Sequence, residues 1–238
     1  MERIQNSFSK GLRDGLPICL GYIPVSFAFG IFAVESGLSI WQAFIISMTN
    51  LTSAGQLAGV PIIAGGLPLT EMALTQLVIN MRYALMSMSL TQKFSHKVKF
   101  IDRFLFSFFN TDEIFGVASS QFGLLGRRYL YGLVIAPFFG WTLGTLFGAI
   151  AGNVLPDIVT SALGIAIYGM FIAIVAPVCK KNMAVLGVVA VSIALSCVFY
   201  YVPQLDFISD GIAIIICAVV SSAVFAIVKP VEQKKEAD

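Results

Sequence analysis

Long apolar runs alternate with short polar links along the whole chain, and the runs have the length of membrane helices. A helix that spans a bilayer needs about 20 mostly apolar residues. Eight stretches approach that standard: roughly 15–35, 41–66, 69–90, 104–122, 129–151, 158–178, 183–202 and 211–228. The last four are almost free of ionisable residues. Two of the earlier ones have polar centres. The stretch 41–66 carries Thr49, Asn50, Thr52, Ser53 and Gln56 near its middle, with Gly55, Gly59, Gly65 and Gly66 close by. The stretch 104–122 carries Asn110, Thr111, Asp112 and Glu113 at its centre.

The basic residues give these stretches a direction. Lys and Arg gather in cytoplasmic loops. Of the 15 in this chain, all but Arg82 lie in links or tails. The basic links are the N-terminus, the 91–103 loop (Lys93, Lys97, Lys99, Arg103), Arg127–Arg128, Lys180–Lys181 and the tail with Lys229, Lys234 and Lys235. The links at 35–40, 153–157 and 203–210 have none. From Arg127 onward the signs alternate as four crossings require. In the first half, four full crossings would put the basic 91–103 loop outside. The conflict disappears if 41–66 and 104–122 each enter the membrane and return on the same side. Non-helical backbone at membrane depth is tolerated where protein or a water-filled cavity surrounds it, and broken helices of this kind build transporter sites. The expectation is an all-α polytopic membrane protein with six full crossings and two re-entrant or broken segments, residues 1–238 forming one domain with both termini cytoplasmic. The alternative is eight full crossings.

Composition agrees with this reading. The chain is 58% hydrophobic and 12% charged, against about 25% charged in soluble domains, and its mean hydropathy is +0.88. Arg3, Lys10 and Arg13 precede the run from Leu16 to Val34 as in a signal peptide. That run is longer than a signal core and further spans follow, so it reads as a retained helix. A net charge of +2 and the lack of an RNA-binding signature point away from nucleic acid. Cys19, Cys179, Cys197 and Cys217 each stand alone in apolar runs, with neither zinc nor disulfide spacing. They read as packing residues, and His96, among lysines, reads as a loop residue. Neither a metal nor a cofactor is expected. Pro17, Gly21, Tyr22 and Gly30 are faintly echoed by Pro137, Gly140, Trp141 and Gly148.

Arg82 is the strongest chemical signal. It sits within the apolar stretch Leu77–Met88, beside Asn80 and Tyr83. A charge at mid-bilayer costs several kcal/mol and marks a functional site by default. Its natural partners are Asp112 and Glu113, the acids at the centre of 104–122. Arg82 can hold a carboxylate, and the acids can hold an amine or exchange a proton. A buried ion pair that merely joins two helices is the structural alternative. In the run from Thr52 to Gln56, a helix broken at Gly55 would free backbone groups which, with Ser53 and Gln56, can grip a zwitterion. Small-residue packing is the alternative there. The glycines at 140, 144, 148, 164 and 169 read as packing, and the phenylalanines at 104, 106, 108 and 109 as facing lipid or helix neighbours. The substrate-binding candidates are Asn80, Arg82, Tyr83, Ser53, Gln56, Asn110, Asp112 and Glu113, the last two doubling as proton-coupling candidates. Catalysis finds little support. The chain has no P-loop, nucleophile elbow or HExxH pair. Asp112 and Glu113 are adjacent, so on one helix they point about 100° apart and do not form an acid–base dyad.

The segment from Gly21 to Gly30, the turn Ala54-Gly55-Gln56, the run Asn80-Met81-Arg82-Tyr83-Ala84-Leu85-Met86-Ser87 and the triplet Thr111-Asp112-Glu113 resemble the AzlC family of bacterial permeases over nearly the whole chain. The resemblance implies the large subunit of a two-component secondary transporter in the bacterial inner membrane. It further implies a small AzlD-type membrane partner and export of branched-chain amino acids such as leucine, valine or azaleucine. Such a substrate brings one carboxylate, one ammonium and an apolar side chain. The alternatives are a transporter of another small zwitterion or organic solute, or a membrane scaffold or receptor.

Overall fold

Two long helices with glycine-lined faces form the spine of the molecule. In the computed structural model, residues 4–156, 169, 172, 175–180, 182–205 and 207–228 are described. The predicted stretch 158–178 lies mostly outside them, as do Gly164, Lys181, Lys229, Lys234 and Lys235. Helix α1 (Phe8–Glu35) and helix α7 (Arg127–Gly152) run parallel. Gly140 packs on Cys19, Gly144 on Ile23, Gly148 on Phe27 and Gly152 on Ile31, so both helices advance four residues per contact. A Cβ at Gly140 would come within 2.6 Å of the Cys19 sulfur, and one at Gly144 within 2.9 Å of the Ile23 carbonyl oxygen. At Gly148 it would run into the backbone of Phe27. Without a hydrophobic drive between helices in lipid, such small faces let backbones approach and gain dispersion and polar contact.

Between the two spine helices the chain makes one more long helix and two broken hairpins. Helix α2 (Ile40–Thr49) and helix α3 (Ser53–Ala64) are separated by Asn50–Thr52. Helix α4 (Leu69–Thr91) follows; its 23 residues measure about 34 Å at 1.5 Å each, enough to span. Helix α5 (Phe100–Phe109) and helix α6 (Asp112–Ser120) are separated by Asn110–Thr111. After α7 come helical residues 175–180, then α8 (Met183–Tyr201) and α9 (Asp210–Val228). The last two form an antiparallel pair, joined by Ser192 donating to Ser221 at 2.7 Å. Helices α1, α7, α8 and α9 are long and apolar enough to cross a membrane.

Both polar-centred segments are therefore broken, and each turns back. The decisive contacts lie at the end of the bundle that holds the N-terminus. The short strands β1 (Ile4–Gln5) and β2 (Leu124–Leu125) pair in parallel, and Phe94 bridges to Leu125. The 91–103 loop thus sits beside the N-terminus and the start of α7. Asp102 at the head of α5 is buried there against Arg127 at 2.9 Å and the Tyr131 hydroxyl at 2.8 Å. The tail of α6 returns to the same place, where Lys93 donates to the carbonyl oxygens of Ser119 and, at 2.8 Å, Gln121. Lys10 also donates to Gln121. The α5–α6 segment enters and leaves at one end. The α2–α3 segment does the same at the other end: α3 runs antiparallel to α4, with Gly55 against Gln76 and Gly59 against Met72. In this geometry 41–66 and 104–122 each turn back within the bundle, as re-entrant segments would.

One expectation is corrected. The first hairpin breaks at Asn50–Thr52, not at Gly55, which lies inside α3. Asn50 and Thr52 hold extended backbone there, and the Thr52 hydroxyl caps α3 by accepting from the Gly55 N–H at 3.3 Å. A threonine whose side chain caps the helix fixes where α3 begins, and Gly55 then falls within its first turn. The fold is helical as expected, with only a two-residue parallel pairing of β1 and β2 and a bridge from Phe94 at one end.

Two outcomes follow. With the native cysteines replaced, Glu35→Cys and Lys97→Cys label with an impermeant maleimide from opposite membrane faces; labelling of both from one face would refute the hairpin geometry. Gly148→Leu forces α1 and α7 apart, an overpacking of about 1–3 kcal/mol, seen as a fall in Tm of about 2–12 °C.

Candidate functional site

The tips of the two hairpins enter from opposite ends and meet near the midpoints of α1, α4 and α7, which supply Tyr22, Arg82 and Trp141. A cavity of about 650 Å³ opens between them. Its polar lining comes from Ser53, Arg82, Tyr83, Thr111, Asp112 and Glu113. Its apolar walls include Ile18, Val25, Leu51, Ile79 and Val175.

Each tip resumes as a helix whose N-terminus is at the cavity. Helix α6 begins with Asp112 and Glu113 behind the cap Thr111, whose hydroxyl accepts from the Ile114 N–H at 3.4 Å. Acids in a first turn oppose the positive end of the helix dipole. Helix α3 begins with Ser53 and Ala54 and has no acid in its first turn. One half-helix therefore presents carboxylates to the cavity, and the other presents uncompensated N–H groups.

Arg82 pairs with Asp112 at 2.8 Å. Its guanidinium also donates to the Tyr83 hydroxyl at 3.1 Å and stacks 4.9 Å from that ring. The two charged side chains are 48% and 44% exposed, so the pair opens onto the cavity and is not sealed between helices. Glu113 takes a different partner: the Tyr22 hydroxyl donates to it at 2.7 Å and also meets the Thr111 hydroxyl at 2.5 Å. Tyr22 packs edge-on against Trp141 at 5.2 Å. The indole N–H of Trp141 donates to the Gln56 amide oxygen at 2.9 Å, and the Gln56 amide nitrogen donates to Ser47 at 2.8 Å. Ser47 in turn meets Thr145 of α7 at 2.7 Å. The echo between Tyr22 and Trp141 in the sequence thus becomes a direct contact between the spine helices.

The structure brings Ser53, Arg82, Tyr83, Asp112 and Glu113 to the cavity. The other three candidates lie behind it. Gln56 is buried with its amide committed to Ser47 and Trp141. Asn80 accepts from Thr52 at 2.7 Å and donates to Gln76 at 2.9 Å, tying the first tip to α4. Asn110 donates to Ser87 at 2.9 Å and ties the second tip to the same helix. Sequence reasoning missed Tyr22 and Trp141 as cavity residues. The available signal was a phenol and an indole inside apolar runs, since their polar atoms require partners when buried.

The comparisons with known proteins bear on this cavity directly. The family described as AzlC protein matches residues 17–155, a span that holds every residue named above at the cavity except Val175. The chain belongs to the AzlC family. The inner membrane protein YgaZ of Escherichia coli (strain K12) is 30% identical over 174 residues, or 70% of this chain and 71% of that protein. An uncharacterized membrane protein of Archaeoglobus fulgidus is 30% identical over 172 residues, 71% and 75% of the two chains. An uncharacterized membrane protein of Helicobacter pylori (strain 26695) is 21% identical over 158 residues, 62% and 67%. No solved structure matches. As an AzlC protein the chain is a helical membrane protein, and its relatives are named for membranes, not for a reaction.

Tyr22→Phe removes the donor to Glu113 and the hydroxyl partner of Thr111. The expected cost is about 1–3 kcal/mol, from leaving a buried polar group unpaired. Thermal or denaturant melts of the purified protein check it, and an unchanged Tm would mean the tip does not depend on Tyr22.

Proposed function

We propose that this chain is a secondary transporter for branched-chain amino acids, the large subunit of a two-component exporter in the bacterial inner membrane with both termini cytoplasmic. The observation that carries the reading is the Arg82–Asp112 pair, half exposed on a mid-depth cavity whose remaining walls are largely apolar. The cavity has a cationic side, made by Arg82 and the acid-free N-terminus of α3. It has an anionic side, made by Asp112 and Glu113. A zwitterion matches both. Its carboxylate displaces Asp112 from Arg82 and faces the α3 amides, as half-helix N-termini do in other transporters. Its ammonium meets the released Asp112, with Glu113 held nearby by Tyr22. Its branched side chain lies against Ile18, Val25, Leu51 and Ile79.

The ion pair is a sound resting state for such a site. Without substrate, two charges at membrane depth would each be unpaired, and pairing removes much of that cost. Because both remain partly exposed, the pair can be exchanged for substrate without stripping water from a sealed contact. Asp112 and Glu113 are also the groups that would carry a proton if export is proton-coupled. An AzlD-type small subunit completes the reading, and the family relationship is its support.

The test is counterflow of labelled leucine and valine in vesicles that contain the purified chain, with and without an AzlD-type small subunit. Arg82→Ala and Asp112→Asn each reduce flux at least tenfold, consistent with loss of about 1.4 kcal/mol or more of substrate interaction. Full flux in Arg82→Ala, or no flux of any branched-chain amino acid above empty vesicles, would overturn the assignment.

A further inference from the structure

At the end of the bundle opposite the N-terminus, a second polar cluster lies outside the cavity. Glu71, in the first turn of α4, is 7% exposed, and Thr75, one turn later, is fully buried. The Glu71 Oε1 and Thr75 Oγ1 atoms have no hydrogen-bond partner among the described residues, and neither does the buried Ser209 Oγ just before α9. Both α4 oxygens converge on Gly211: a Cβ there would sit 2.5 Å from Oε1 of Glu71 and 2.9 Å from Oγ1 of Thr75. The missing side chain is what lets the two oxygens reach the α9 backbone.

The ordinary reasons for an acid at this position do not account for it. An acid in a first helical turn is favoured by the helix dipole, but that benefit needs no burial. Glu71 stands beside the start of α9, yet no described N–H donates to Oε1. No Lys or Arg among the described residues pairs with it; the ion pairs found are those of Asp14, Asp102 and Asp112. A buried carboxylate lacking both donors and a counter-charge is expensive, and the Glu71 and Thr75 oxygens that converge on Gly211, with the unpartnered Ser209 hydroxyl two residues before it in the chain, suit a positive charge that accepts oxygen ligands.

We propose that Glu71, Thr75 and Ser209 form a monovalent cation site of the sodium class between α4 and α9. The donor set selects the ion. Hard cations take oxygen ligands, and among the described side chains one carboxylate with two neutral hydroxyls balances a single positive charge. Divalent calcium sites generally gather several carboxylates. Glu71, Thr75 and Ser209 offer only oxygen, not the nitrogen and sulfur ligands that transition metals favour. The site joins α4, which carries Arg82, to α9, so an ion bound there fixes the helix that bears the cavity's cation. The inference does not depend on which solute the cavity carries.

The experiment measures ²²Na⁺ binding to the purified full-length chain in choline buffer by scintillation proximity. Saturable binding of one ion per chain is expected. It falls at least tenfold in Glu71→Gln, and also in Gly211→Ala, whose methyl group pushes into both oxygens; Thr75→Ser, which keeps the hydroxyl, retains it. Thermal melts in choline establish that each variant is folded, and if Glu71→Gln is not, Gly211→Ala and Thr75→Val decide. Absence of saturable sodium binding by the unmodified chain, or equal binding by the folded variants, would overturn the proposal. Neither result bears on amino-acid flux through the cavity, so the two readings fail separately.

Discussion

A polypeptide that leaves the helix in the middle of a bilayer must find its hydrogen bonds inside the protein, because lipid offers none. The rest of this structure follows from meeting that demand twice. At Asn50–Thr52 and again at Asn110–Thr111 the backbone is extended or irregular at membrane depth. Each break is closed by a threonine that caps the next half-helix and by an asparagine that ties the tip to α4, Asn80 for the first and Asn110 for the second. The α1–α7 spine stands behind both. Its glycines bring the two backbones close enough that Tyr22 and Trp141 can touch each other while each holds a different tip.

How far this was legible in the sequence differs from feature to feature. The hairpins were legible because two independent signals coincided: polar residues at the centres of apolar runs, and a basic 91–103 loop that full crossings would put on the wrong side. Local contacts then place that loop at the N-terminal end, through backbone pairing of Phe94, Leu125 and Ile4–Gln5. No propensity reveals such pairing, since its partners are some 30 and 120 residues apart in sequence. The break point was misplaced for a local reason. Glycine signals freedom from the helix, but Thr52 supplies a cap, and a cap decides where a helix begins.

The candidate site was half legible. Ionisable residues in apolar runs are conspicuous, so Arg82, Asp112 and Glu113 stood out. Which acid would take Arg82 was not, because the choice depends on Tyr22 claiming Glu113. Gln56 drew attention as a polar residue near a glycine, yet its amide is spent on Trp141 and Ser47. An amide has enough donors and acceptors to brace a tip or to hold a ligand, and composition does not separate the two. Glu71 escaped notice for the opposite reason: an acid in a first helical turn at the edge of an apolar run looks ordinary until its burial is known.

Tyr22 connects these observations. Its hydroxyl holds the acidic tip, its ring leans on Trp141, and Trp141 holds Gln56 in the other tip. The two hairpins enter from opposite ends, so each closes the cavity toward its own end of the molecule. A chain of contacts from Glu113 through Tyr22 and Trp141 to Gln56 and Ser47 means that neither tip withdraws without loosening the side chains that support the other. Under the proposed function, rigid-body gating around a mid-depth site would act through such a shared element. The α1–α7 spine has the right properties for it, being parallel, close-packed along its length and in contact with both tips at its midpoint. Under the proposed function, the Arg82–Asp112 pair is the contact that a solute would compete for, and the aromatic pair behind it is the structure that would register the outcome at both ends.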